Sequence, residues 1–289
     1  MGLLLFFFSS HTGKPKRKLK PTLFILYGLS CFRYNLVSSM KKISSEFGHN
    51  YKSYSFGYAN YCLREREDLL SEIYASGHLP YSGSSNVKNV FYMARSARVP
   101  LAVFRYTSEN RRVAGKFKGK FLRESIPIEN FNVKDKKFLS FCLEYFAKRH
   151  GSSVMPKKRL NYILESGPVT HIVKYTEDDK PKAYVFEVSD NKTTHFWFSF
   201  YDLDYIHRSL GMWLMLDSAE NAKKRGADFF YVGTVYGEKA LYKTAFNGLE
   251  HWDGEKWVGD IKKLKSFSRT DNQRSVDLID VWKQNLELF

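Results

Sequence analysis

His195–Phe246, HFWFSFYDLDYIHRSLGMWLMLDSAENAKKRGADFFYVGTVYGEKALYKTAF, decides the reading of this chain. Its first seven residues are apolar or alternating, as in a half-buried strand, and DLDYIHRS breaks that pattern. Ser209–Arg225 is apolar over most of its first half, the mark of a largely buried helix, and Gly226 ends it. Asp228–Thr234 reads as a second strand and Glu238–Phe246 as a short helix. The order is therefore strand, loop, helix, strand, short helix. Arg208-Ser209-Leu210-Gly211 stands at the mouth of the first helix, where unpaired backbone N–H groups offer a site to an anionic or carbonyl group.

Upstream, His171–Tyr175, Ala183–Val188 and His195–Tyr201 keep a period of two and are separated by DDKPK and SDNK turns, which predicts an antiparallel meander. Before it, Phe138–Arg149 carries Phe138, Phe141, Cys142, Tyr145 and Phe146 on one helical face, a core stripe, and Pro156–Glu165 is a shorter helix. Nearer the start, Leu69, Leu70, Ile73 and Tyr74 suggest a helix over Cys62–Ala75 that Gly77 stops. Val90–Ala94 and Leu101–Tyr106 read as strands, with a basic ARSARVP between them. Ser108-Glu109-Asn110-Arg111-Arg112 fits either a phosphate or carboxylate clamp built on two forked guanidiniums, or a solvated basic loop. Gly115–Gly119 looks like a boundary, WDGEKW like a turn, and the tail to Phe289 like a helix.

Composition narrows the partners. Hydrophobic residues make up 43% and aromatics 17%, enough for a core and too much for a disordered chain. Lys and Arg number 46 against 30 acids, a net charge of +16. Six of those cations precede Met40, where there is no acid, so the remainder carries 16 − 6 = +10. Such a surface attracts polyanions, nucleic acid foremost, although a generally basic protein has the same composition. Cys31, Cys62 and Cys142 form no zinc-like pattern and read as reduced thiols of a cytoplasmic protein, with no metal. Leu3–Phe8 and Leu23–Leu29 fall short of the roughly 20 apolar residues of a membrane span, so no membrane partner is expected. Residues 1–39 read as an extension or disordered leader, with Met40-Lys41-Lys42 as the natural start.

Two resemblances follow. A meander running into strand, loop, helix and strand resembles the GCN5-related acetyltransferase fold. That family's pyrophosphate loop runs Arg/Gln-x-x-Gly-x-Gly/Ala; Arg208 and Gly211 match it, whereas Trp213 replaces the last small residue and is expected to crowd the backbone there. The second resemblance, to the arginyl- and leucyl-tRNA–protein transferases, is closer. It rests on Phe200-Tyr201-Asp202, Ser209-Leu210-Gly211, Tyr231-Val232-Gly233 and Lys239-Ala240-Leu241-Tyr242-Lys243, in order over about fifty residues. Leu70–Gly77 leading to His78–Ser82, then Phe91–Arg98 and Ser108–Arg112, extend it over roughly residues 57–265. The cysteine pairs common in that family's N-terminal half are missing here, where Cys62 stands alone.

The resemblance implies a mixed α/β chain: an N-terminal acceptor-recognition domain over 40–115, an acetyltransferase-like transferase domain over 116–270, and a tail helix over 271–289. It implies transfer of an amino acid, of the Arg or Leu class, from the 3′ end of aminoacyl-tRNA to the N-terminal amine of a protein or peptide, with no cofactor. Such a transfer needs proximity, a deprotonated amine and donors for the developing oxyanion. Asp202 and Asp204 are candidates to take the amine proton, or are simply loop or capping carboxylates. Tyr231, Tyr236 and Tyr242 are candidates to donate to the oxyanion or stack on the terminal adenine, or are core aromatics. Lys239 and Lys243, four apart on one helical face, suit tRNA phosphates, as do Arg111, Arg112 and Arg208, with Ser209, Gly211 and Gly233 shaping the cleft. The rival readings are a CoA-dependent N-acyltransferase and a non-catalytic module that binds RNA or peptide.

Overall fold

The computed structural model describes residues 41–43, 46–50, 55–58, 60–65, 69–83 and 88–271. The expectations for residues 1–39, for Met40 and for the tail beyond Asp271 lie outside them. Strands β1 (Lys41–Ile43), β4 (Tyr61–Leu63), β5 (His78–Pro80) and β6 (Val90–Met93) form a small antiparallel sheet in the order β1-β4-β6-β5, and β2 (Glu46–Asn50) pairs with β3 (Ser55–Tyr58). The larger sheet has eight strands: β7 (Ser96–Pro100), β8 (Leu122–Pro127), β9 (His171–Glu177), β10 (Lys180–Ser189), β11 (Thr193–Tyr201), β12 (Phe229–Thr234), β13 (Glu250–Trp252) and β14 (Trp257–Val258). Their order is β14-β13-β7-β12-β11-β10-β9-β8. The helices are α1 (Leu70–Ala75), α2 (Ser108–Gly115), α3 (Lys136–His150), α4 (Lys157–Ser166), α5 (Leu210–Lys224) and α6 (Ile261–Thr270).

The meander β9-β10-β11 is antiparallel, and α5 crosses over to a parallel β12, as the sequence pattern requires. The aromatic stripe of α3 enters the main core: Phe138, Cys142, Tyr145 and Phe146 are buried with the apolar face of α5. A second core, holding Ile73, Tyr74, Phe91, Tyr231 and Tyr236, joins α1 and the small sheet to the large one.

Four expectations change. Cys62 and Leu63 belong to β4, where pairing with β6 overrides a helical pattern, so α1 begins only at Leu70. The basic ARSARVP holds β7, while Leu101–Val103 form a turn. Strand β8 is hidden by its mixed composition, because it is an edge strand with no fully buried residue. Arg111 and Arg112 sit on α2, not a loop; Thr107 and Asn110 close a reciprocal capping box at its start.

Candidate active site

The site begins where a ladder stops. β11 and β12 pair only through Thr193–Phe229, Thr194–Phe230 and His195–Tyr231, although β11 runs on to Tyr201 and β12 to Thr234. Beyond His195, β11 keeps only β10 beside it, and β12 only β7. Two parallel strands thus part at their C-terminal ends, the place where open α/β sheets receive ligands. The break coincides with a bulge: the register with β7 slips between Tyr231 and Gly233, and Gly233 adopts φ +83°.

Three side chains meet at this bulge. A Cβ on Gly233 would lie 3.4 Å from Lys243 Nζ and 3.6 Å from His195 Nε2. Lys243 donates to the Thr234 carbonyl at 2.9 Å, and burial lowers its amine from the usual lysine range to about 8. His195 lies within hydrogen-bond reach of Tyr74, Nδ1 to Oη 2.9 Å. Burial, and then the Lys243 charge, push His195 down to about 3, so the imidazole is neutral near pH 7. His195 is buried and Lys243 half-buried at the floor of the opening.

Around it stand the end of β11, the start of α5 and the end of α3. Ser209, at φ +67°, precedes α5 without capping it through its side chain. Gly211 lies against Tyr201, whose ring would be 3.2 Å from a Cβ there, so a small residue is required. Tyr201 packs on Tyr145, and Tyr145 on His150. Desolvation, followed by the charges of Arg149 and Lys239, lowers His150, which places two cations beside that ring. Arg208 is exposed, 5.7 Å above the Tyr205 ring. The floor sets the Lys243 ammonium beside the neutral His195 ring, and the rim is basic.

Several predicted site residues are placed differently from expectation. Glu238–Ala245 is a 3₁₀ helix, so residues four apart diverge by about 120° instead of sharing a face. Lys239 accordingly faces solvent while Lys243 turns inward. Tyr236 is buried, its hydroxyl accepts from the Arg95 N–H at 2.8 Å and its ring lies under the Arg95 guanidinium, so it cannot stack on a base. Tyr231 is fully buried against Tyr74; burial, with Arg98 opposing, pushes its phenol up to about 12. Tyr242 is 49% exposed on the outside of the 3₁₀ helix. Asp202 accepts from the Asp204 N–H as a cap and from Lys182 Nζ at 2.7 Å. Partial burial raises its carboxyl, and the Lys182 bond, the Asp204 N–H and the Lys182 charge together outweigh that to hold it below the usual range, an unfavourable setting for a general base. Asp204 is exposed. Arg111 donates to the Tyr106 carbonyl, and Arg112 is clamped by Glu109 at 2.6 Å, which engages one of the two proposed guanidiniums within the helix itself. The Trp213 indole packs inward on Phe117, Phe121 and Tyr175, so it does not crowd the helix mouth; the ring at that first turn is Tyr201. Sequence reasoning missed His195 and Tyr74. An isolated histidine on an apolar strand gives no signal until its partner, 121 residues away, is brought beside it.

Among the described residues no three His, Cys, Asp or Glu side chains are grouped to hold a metal, and no helix is long and apolar enough to cross a membrane. Cys62 and Cys142 are buried.

Known proteins share this framework. A family model described as an acetyltransferase (GNAT) domain matches residues 166–244, the meander with α5, β12 and the first part of the 3₁₀ helix. A protein named aspartate/glutamate leucyltransferase, from Ruegeria sp., is 26% identical over 201 residues, covering 67% of this chain and 71% of that protein. A protein of the same name from Nitrosococcus oceani is 29% identical, over 56% of this chain and 68% of its own length. The solved structure of L-PGS from Bacillus licheniformis overlays partially, with a TM-score of 0.35, 15% identity, and coverage of 61% of this chain and 53% of that one.

Proposed function

We propose that the chain, similar over two thirds of its length to a protein named aspartate/glutamate leucyltransferase, moves an aminoacyl group from the 3′ end of tRNA to the N-terminal amine of a protein or peptide. The observation that carries this reading is the parting of β11 from β12 at His195 and Tyr231, with the Lys243 amine at the bulge below. An aminoacyl ester entering there meets a cation in a dry setting, where a charged donor is worth far more than in water. The acceptor amine attacks the ester carbonyl; the new N–C bond forms as the C–O bond to ribose breaks. Lys243 donates to the developing oxyanion, and the amine proton ends on the departing ribose oxygen. His195, fixed through Tyr74, stays neutral beside Lys243, which the Thr234 carbonyl holds in place. Arg208, Lys239 and Arg111 meet phosphates near the tip, Asp204 steadies the incoming ammonium, and Tyr242 offers its exposed ring to the terminal adenine.

The relatives' names favour leucine as donor and an acidic N-terminus as acceptor. Incubation with a mixed pool of charged tRNAs carrying labelled amino acids and a peptide library tests both at once. Label on peptide N-termini, chiefly leucine and chiefly on Asp or Glu, is the expected result; no label with tRNA but acetylation with acetyl-CoA sinks the proposal. The acetyltransferase-domain match supports that second reading. Against it stands the Tyr201 ring, which covers one side of the first turn of α5, where a pyrophosphate needs open backbone.

A further inference from the structure

Helix α6 contributes nothing to the opening described above, yet its outer surface is unusual. Lys262, Lys265 and Arg269 recur at i, i+3 and i+7 along one side of the helix; Lys262 and Arg269 are exposed, and Lys265 is half-buried at the edge next to the buried Leu264 and Ser268. The helix contains no acid, and none of these three side chains meets a carboxylate within ion-pair distance among the described residues. Its first turn holds Lys262 and Lys263, the reverse of what the positive end of a helix favours. Arg269 in the last turn suits the negative end of the helix, whereas Lys262 near its start does nothing for it; over about 10 Å, at ~1.5 Å rise per residue, Lys262 and Arg269 are presented outward with Lys265 at the edge between them.

The helix is also fastened to the site. Asp271 at its end takes a two-pronged bond from Arg95, at 2.9 and 3.0 Å, and accepts from the Gly237 N–H at 2.7 Å. Ser268 donates to the Val235 carbonyl. Val235 and Gly237 belong to the turn between β12 and the 3₁₀ helix that carries Lys239 and Lys243. The basic face is thus held in fixed register with the opening.

Resting on the transferase reading, we infer that this face of α6 binds the backbone phosphates of the tRNA duplex while the charged 3′ end enters between β11 and β12. Phosphate contact of this kind positions the substrate without reading its sequence, so it acts on every charged tRNA alike. An acidic segment of the acceptor protein is the competing occupant.

The test replaces Lys262, Lys265 and Arg269 together by Gln, with a charge-reversed K262E/K265E/R269E chain beside it and thermal unfolding as a check that both fold. Transfer is measured from full charged tRNA and from a short donor, 2′(3′)-aminoacyl-adenosine, which lacks a duplex. The expected result is a KM for full tRNA raised at least tenfold in the Gln variant and further in the Glu variant, with kcat and short-donor transfer unchanged. The slope of log affinity against log salt should fall by about two to three, near one per lost phosphate contact. An unchanged KM and slope overturns the inference while leaving the transferase reading intact. A rise in the acceptor's KM instead assigns the face to the acceptor and overturns it as well. A parent chain that uses neither donor defeats the transferase reading and this inference with it.

Discussion

Lys243 is asked to do two things that conflict in water, to stay charged and to stay dry. Burial resolves this by bringing its amine to about 8, so that near pH 7 it is still mostly an ammonium. The acceptor's α-amine, with an ordinary value of about 7.7–8.0, must instead be neutral to attack. The rate should therefore rise as the amine deprotonates and fall as Lys243 does, giving a narrow bell centred near pH 8. In Lys243→Arg, whose guanidinium keeps its proton, the alkaline limb should vanish; its persistence in that variant would show that another group sets it. Lys243→Met should lower kcat by about 10²–10³, the cost typical of one lost oxyanion donor, with tRNA affinity little changed. His195 makes its own prediction through stability. Its folded value of about 3 lies below the unfolded ~6.5, so the unfolded chain binds the extra proton between them. Stability is fully present above about pH 6.5 and is lost as pH falls toward 3, by on the order of a few kcal/mol. Denaturant unfolding from pH 7 to 4 should show this loss, and His195→Asn should flatten it.

At the scale of elements, the opening depends on β12 failing to follow β11, and Gly233 is where it turns away. A side chain there would have to adopt φ +83°, although its Cβ would meet Lys243 and His195 only at ordinary contact distance. Gly233→Ala should cost about 1–2 kcal/mol in unfolding free energy. The alkaline limb should stay in place, because the added methyl meets Lys243 without displacing it; a shifted limb would show that the bulge sets the Lys243 amine. The meander, α3, α5 and β12 were legible because each buries one face, and burial imprints a period on the sequence. Strand β8, exposed along its edge, had no such period to read. The site was legible only in part for a related reason. Gly211 and Gly233 stand out in sequence as small residues next to strand and helix ends, and the structure gives both a steric reason. The inward turn of Lys243 follows from a 3₁₀ helix that has the same residues an α-helix would, and the Tyr74–His195 bond joins α1 to β11 across 121 residues. Side chains that meet through tertiary packing leave no local pattern.

For the whole molecule, charge is the quantity that matters. An excess of sixteen positive charges over 289 residues cannot all serve one small opening. Arg111, Arg208, Lys239 and the three cations of α6 make six phosphate contacts if the tRNA lies as proposed. Six contacts predict that affinity falls by about 10³ between 50 and 200 mM salt, because each neutralised phosphate releases condensed counterions. The short aminoacyl-adenosine donor carries no phosphate, so its transfer rate should change little over the same range. The ratio of the two donors' kcat/KM against salt isolates the polyanion term from everything that happens at Lys243. A parallel decline for both donors would mean that salt acts on the opening or on the fold, and the basic surface would then be a general property of the chain, not a track for nucleic acid.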